Sequence, residues 1–252
     1  MVKFFDWYAQ QELNMKYIFF GKVYPERAPI TISSVNGHVK SDDTSFEANI
    51  KTSIRLSQIT VEVDTDSQIP LVDLKNTIEN NVHTFVDVYG YLKGYTYNVE
   101  IISVYIPETS HHEVFGMDVV KITQDEKNRP LSYQDTLLLA LKIPELSMVL
   151  KDLRDAIGRP LDTFFHCRRA TETIAKFFFK SDNKAKGWQD AIKILGLNQS
   201  DINEIKETGG DQRHGVYGSV IGEKRVDIMI KTWRAVDKFV EYLKTQESNN
   251  KL

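Results

Sequence analysis

The stretch GGDQRHGVYGS, residues 209–219, sets Arg213 beside His214 between glycines. A guanidinium offers a permanent charge and a planar fork of donors, and an imidazole exchanges a proton near neutral pH. Backbone amides near a helix terminus can join such side chains in holding an anion. The pair Gly209-Gly210 is expected to end one helix and Gly222 to precede the next, which places Arg213 and His214 in the connection. Together they can serve transesterification of RNA, with His214 as acid or base, Arg213 stabilising the phosphorane and Tyr217 orienting either one. A plain loop contact accounts for the same residues.

A second constellation lies in HCRRATE, residues 166–172. On a helix, Phe164, Cys167, Thr171, Ile174 and Phe178 form one stripe, and Phe165, Arg168, Glu172, Ala175 and Phe179 an adjoining one. Arg168 and Glu172 then sit four apart on an otherwise apolar face, where charges must be matched to each other or to a ligand. Arg168, Arg169, Glu172 and Tyr217 form the expected ligand-binding set, with a structural ion pair as the alternative for Arg168 and Glu172. His111-His112-Glu113 and the run Glu62, Asp64, Asp66 read as wet strand or turn surfaces, and no residue is assigned to a metal or cofactor. No glycine-rich phosphate loop, dinucleotide fingerprint, serine elbow or His-Glu-x-x-His helix is present.

The elements that must position these residues change period midway. From Tyr17 to Ile122 the pattern is mostly strand-like: Ile59, Val61 and Val63 alternate with Thr60, Glu62 and Asp64, and Asn36-Gly37 reads as a turn. Within it, Leu71, Leu74, Ile78, Val82 and Phe85 recur at helical spacing, with Gly90 and Gly94 marking the end. Residues 1–130 are therefore expected to form an α+β domain of antiparallel strands and one helix. After Pro130 the period is helical throughout. Ser132 is a candidate cap for a helix that Pro144 kinks or breaks, and Ser200 for DINEIKET. Residues 131–252 read as a five-helix bundle.

The composition fits a folded protein, with 41% hydrophobic and 27% charged residues. No apolar run approaches the ~20 residues a bilayer-spanning helix requires, and Asp6 and Glu12 interrupt any secretory apolar segment. Cys167 is the only cysteine, so a cytoplasmic location is expected. Residues 1–130 carry 12 Lys/Arg against 18 Asp/Glu, and residues 131–252 carry 20 against 17. A polyanion such as RNA or a nucleotide would thus favour the second half. A noncatalytic alternative is self-assembly, a homodimer formed through Trp233 and Phe239 of the last helix.

RRATE in a central helix, followed by QRHG before the last one, resembles the HEPN superfamily of helical bundles. That resemblance covers the second half. It implies an RNA-directed protein of a toxin, antiviral-defence or RNA-processing system, and in its catalytic form a metal-independent endoribonuclease using Arg213 and His214. Catalytic members typically space the arginine five residues before the histidine, where this chain has Gly209, and some carry a tyrosine two residues after it, where this chain has Val216. Noncatalytic HEPN-like bundles that bind nucleotides or partners fit the same residues.

Overall fold

The computed structural model describes residues 15–27, 29–41, 46–67, 69–116, 122, 129–179, 184–213 and 222–249, with the backbone alone for 41, 184–186 and 211–213. The chain divides into two compact units, Met1–Gly116 and Met117–Leu252.

The first unit is a six-stranded antiparallel sheet carrying one helix. Its strands are β1 (Met15–Tyr24), β2 (Ile32–Ser41), β3 (Phe46–Arg55), β4 (Gln58–Thr65), β5 (Asn98–Ile106) and β6 (His111–Val114), in the order β2-β3-β4-β1-β5-β6. Alternation decides the faces. Phe46, Ala48, Ile50 and Ile54 of β3 and Ile59, Val61 and Val63 of β4 are buried, and α1 (Leu71–Lys93) lays Leu74, Ile78, Val82 and Val86 into the same core. The opposite face is polar: Glu62 of β4 bonds Lys16 of β1 at 3.0 Å and Lys51 of β3 at 3.1 Å. Gly94, at φ +69°, ends α1 in the left-handed conformation that glycine adopts without strain.

Asn36-Gly37, expected as a turn, instead lies within β2, opposite Lys51 and Ile50. A full-length partner strand in β3 supplies a ladder for these residues, and that outweighs their local turn preference. Between β1 and β5 the register shifts at Phe20/Gly21, where a side chain on Gly21 would run into the Glu100 carbonyl. The Ile101 N–H beside this irregularity donates to Glu79 Oε2 of α1 at 2.9 Å, and Lys75 Nζ bonds the same oxygen at 2.9 Å.

The second unit contains six α-helices among the described residues, seven with α1, where a five-helix bundle was expected. They are α2 (Tyr133–Lys142), α3 (Pro144–Gly158), α4 (Thr163–Phe177), α5 (Lys184–Leu195), α6 (Gln199–Arg213) and α7 (Gly222–Ser248). The extra helix arises at Pro144, which lacks an N–H and starts α3 afresh after Ile143 adopts extended backbone. Ser132 caps α2 by accepting from the Asp135 N–H, as expected. At α6, however, Asn198 Oδ1 receives the Ser200 and Asp201 N–H groups, so Asn198 takes the role expected of Ser200.

Gly209-Gly210 does not end α6, which continues to Arg213. The pair serves close approach instead: a Cβ on Gly209 would stand 2.5 Å from Arg168 Cβ and 2.6 Å from the Phe164 carbonyl. Two glycines in a helix interior sacrifice about 1 kcal/mol each against alanine, and here they let α6 cross α4 at a separation no side chain would permit. Leu146, Val149, Ala170, Ile174, Val236 and Phe239 form one core of this unit, and Phe164, Cys167, Ile205, Ile228 and Met229 belong to another, which also takes in Ile122.

Candidate functional site

The candidate site is built on α4, whose buried stripe of Phe164, Cys167, Ala170, Thr171 and Ile174 fixes the helix against its neighbours and leaves the two arginines of RRATE to reach sideways. They reach in different directions. Arg168 Nε donates to Glu172 Oε1 at 2.8 Å, and its Nη1 donates to the Lys206 carbonyl of α6 at 2.8 Å. This guanidinium lies over Gly210, where a Cβ would approach Nη1 to 2.8 Å. Lys206 in turn places its Nζ 4.8 Å from the centre of the Trp188 ring of α5. Arg168 therefore ties α4 to α6 at Lys206, about 10.5 Å of helix rise before Arg213, with its guanidinium over Gly210 on the turn between them.

Arg169 turns to α3. Its Nε donates to Asp152 Oδ1 at 2.6 Å, its Nη2 bonds the same oxygen, and its guanidinium stands 5.3 Å from the Phe165 ring centre. Of the remaining expected site residues, Arg213 is the last residue of α6, not a loop residue, with only its backbone described. His214 and Tyr217 lie outside the described residues, and the convergence of Arg213 with His214 is not part of the geometry described.

The structure adds a cluster that sequence reasoning missed. Asp152 and Asp155, one turn apart on α3, face His166 of α4, and one ligand-type atom from each lies within 4.8 Å of the others. The Asp152 and His166 side chains are 2% and 5% exposed. Burial pushes the Asp152 carboxyl up, but the facing His166 ring and the Arg169 guanidinium outweigh it and hold the group below the usual carboxylate range. Arg154 covers Asp155, donating to its Oδ1 from Nε at 3.1 Å and Nη2 at 2.9 Å. A signal for the cluster was present: Asp152 occupies a core position on the α3 stripe Leu146, Val149, Leu153, Ala156, and His166 sits in the buried stripe of α4. A carboxylate at a core position needs a partner, and sequence periodicity names the position without naming the partner.

Cys167, next to His166, is buried in the core with Phe164 and Met229. Burial pushes its thiol up to about 12. The strand-borne candidates remain apart: His111 and His112 are exposed on β6, where His111 Nε2 lies 3.5 Å from Glu113 Oε2. No helix among the described residues is long and apolar enough to cross a membrane.

Comparison with known proteins gives the same two-part layout. Residues 17–115 match the domain of unknown function (DUF8168) N-terminal domain, which is the sheet with α1, and residues 135–244 match the DUF8168 C-terminal domain, which is the helical assembly. No curated protein and no solved structure matches the chain. The two matches lie in order, take up most of the sequence and coincide with the two folded units, so the chain belongs to the DUF8168 family.

Proposed function

We propose that the helical unit recognises a phosphate-bearing ligand, RNA included, around the C-terminal turns of α6. One observation carries this reading: Arg168 is fastened across Gly209-Gly210, on the stretch of α6 that runs on to the Arg213 backbone. Glu172 holds the Arg168 fork in place, and Lys206 over the Trp188 ring adds a second cation and an aromatic surface on the neighbouring helices. Basic side chains beside an aromatic face suit phosphate and base together. The excess of basic residues in 131–252 supports the same choice of unit.

The test is fluorescence anisotropy of the full chain with a short labelled single-stranded RNA across a salt series, in the presence of EDTA. Arg213→Ala and Arg168→Gln should each weaken binding, and the log–log salt slope should fall by about one for each phosphate no longer neutralised. Affinity unchanged in both variants overturns the reading. Cleavage of the RNA in EDTA to cyclic-phosphate ends, abolished by His214→Ala, would extend recognition to catalysis of the HEPN-like kind.

A second reading, a protein-binding module, has its own observation. Tyr133, Leu137, Leu138 and Leu141 form an exposed apolar stripe on α2, with Tyr133 at 81% and Leu141 at 75% exposure, and Met148 of α3 is exposed as well. The last helix does not offer the face expected of it, because Phe239 is fully buried within its own bundle. Leu141→Lys should abolish concentration-dependent association in sedimentation velocity; a wild-type chain that is monomeric at every concentration, alone and with cell extract, removes this reading.

A further inference from the structure

A cluster of ligand-type side chains stands apart from the α4–α6 seam. Asp152 and Asp155 occupy positions three apart on α3, which puts both carboxylates on one face, and His166 meets them from α4. Carboxylates and an imidazole that converge from facing helices are the means by which helical bundles hold metal centres. Acidic clusters alone are common, and here the histidine makes the difference. Among the described residues, the buried side-chain polar atoms that make no hydrogen bond are Thr52 Oγ1 and His166 Nδ1. His166 Nδ1 is turned toward Asp152 Oδ1 across 3.5 Å, in a side chain that is 5% exposed. Leaving a buried nitrogen unsatisfied costs about 1–3 kcal/mol. A cation entering between His166 Nδ1 and the carboxylates would take the place of a proton on that nitrogen, bind its lone pair and leave the ring proton on Nε2.

We propose that Asp152, Asp155 and His166 form a site for a divalent transition-metal cation, with Arg169 as its displaceable counter-charge. Two oxygens and one imidazole nitrogen suit zinc, manganese or iron better than the all-oxygen preference of calcium and magnesium. Ligand atoms around such an ion stand about 3–4 Å apart. Binding would draw the present spread, within 4.8 Å, to that separation. Arg169 supplies the positive charge that buried Asp152 requires, yet its side chain is 41% exposed, so it can swing to solvent without stranding a charge. Arg154, on Asp155, is 71% exposed and equally free to withdraw. No metal was expected from the sequence, and this site rests on the meeting of α3 with α4 rather than on any spacing along the chain.

The site is independent of the RNA reading, whose binding assay runs in EDTA. The test uses the full chain, treated with EDTA, dialysed and titrated with zinc, then separately with manganese, against a chromophoric chelator, with thermal unfolding in parallel. The expected result is one ion per chain and a raised unfolding midpoint. Asp155→Asn and His166→Gln should each weaken binding by about tenfold or more, and Arg169→Gln should tighten it by a similar factor. Asp155 lies nearer the surface than His166, so Asp155→Asn decides the matter should His166→Gln fail to fold by circular dichroism. Failure of the wild-type chain to compete for either metal overturns the proposal. Undiminished binding in Asp155→Asn does the same, since the ion would then sit elsewhere. Unchanged affinity in Arg169→Gln overturns the role given to Arg169.

Discussion

Two carboxylates are buried among the described residues, one in each unit, and they are treated differently. Glu79 reaches from α1 to the sheet and finds two donors, the Ile101 N–H where the β1–β5 register shifts and the Lys75 ammonium, both at 2.9 Å. Every group there has a partner, and the carboxylate mends a defect in the ladder. Asp152 reaches from α3 to α4 and meets one guanidinium that is partly in water and one imidazole nitrogen with no hydrogen bond. Both are held by the same physics, since a buried charge must be compensated. The difference is saturation: the first is closed by backbone and by a lysine that is itself mostly buried, whereas the second is closed by a side chain that can leave. A buried carboxylate closed by fixed partners belongs to the fold, and one closed by a displaceable arginine, beside an imidazole nitrogen with no hydrogen bond, can exchange that arginine for a ligand.

That contrast can be broken by substitution. The largest effect should come from Glu79→Ala, which leaves the buried Ile101 N–H without an acceptor and should cost about 3 kcal/mol in urea unfolding, with or without metal. Glu79→Gln keeps an acceptor and should recover most of that loss. Asp152→Asn should cost less, about 1–2 kcal/mol in EDTA, because Arg169 can turn to solvent. It should also remove any metal-linked rise in midpoint, which Glu79→Ala leaves intact. If Asp152→Asn proves the more damaging of the two, the distinction between saturated and open carboxylates fails. Arg169→Gln should likewise cost about 1–2 kcal/mol in EDTA, because the buried Asp152 carboxylate loses its counter-charge while the side chain removed is itself 41% exposed.

Cys167 sharpens the comparison as a buried ionisable group that packs in the core. Its folded pKa, raised to about 12 from an ordinary 9.0, keeps the thiol neutral, so iodoacetamide at pH 8 should label it only after unfolding. The raised value also fixes a sign: the stability this thiol contributes is fully present below pH 9 and is lost as pH rises from there toward about 12, because only the unfolded chain gives up the proton in that window. Cys167→Ala should flatten this alkaline limb. Rapid labelling of the native protein at pH 8 would show that the core next to His166 opens.

Much of the architecture was legible from the chain alone. Period-two alternation in β4 and three-and-four spacing in α1 dictate which side of each element is apolar, and one helix packed on an antiparallel sheet follows from them. The Ser132 cap and the terminal Gly94 were equally local, because capping and left-handed backbone depend on a few adjacent residues. Asn36-Gly37 and Gly209-Gly210 show where local reading stops. Both pairs carry turn chemistry, yet one is held in a strand by its partner β3 and the other is needed for a helix crossing over Arg168. Pro144 announced a break, and only packing decided that it would be a full one, giving α2 and α3 in place of a kinked helix.

The sequence by itself determined the two units, their periods and the residue types able to do chemistry, because propensity and amphipathicity act over a few turns of chain. Tertiary structure alone decided who meets whom. Arg168 and Arg169 are neighbours in sequence, and a rotation of about 100° between successive helical positions sends one to α6 and the other to α3. Asp152 and His166, fourteen residues apart, become neighbours only because α3 and α4 pack face to face, and no local rule encodes that meeting.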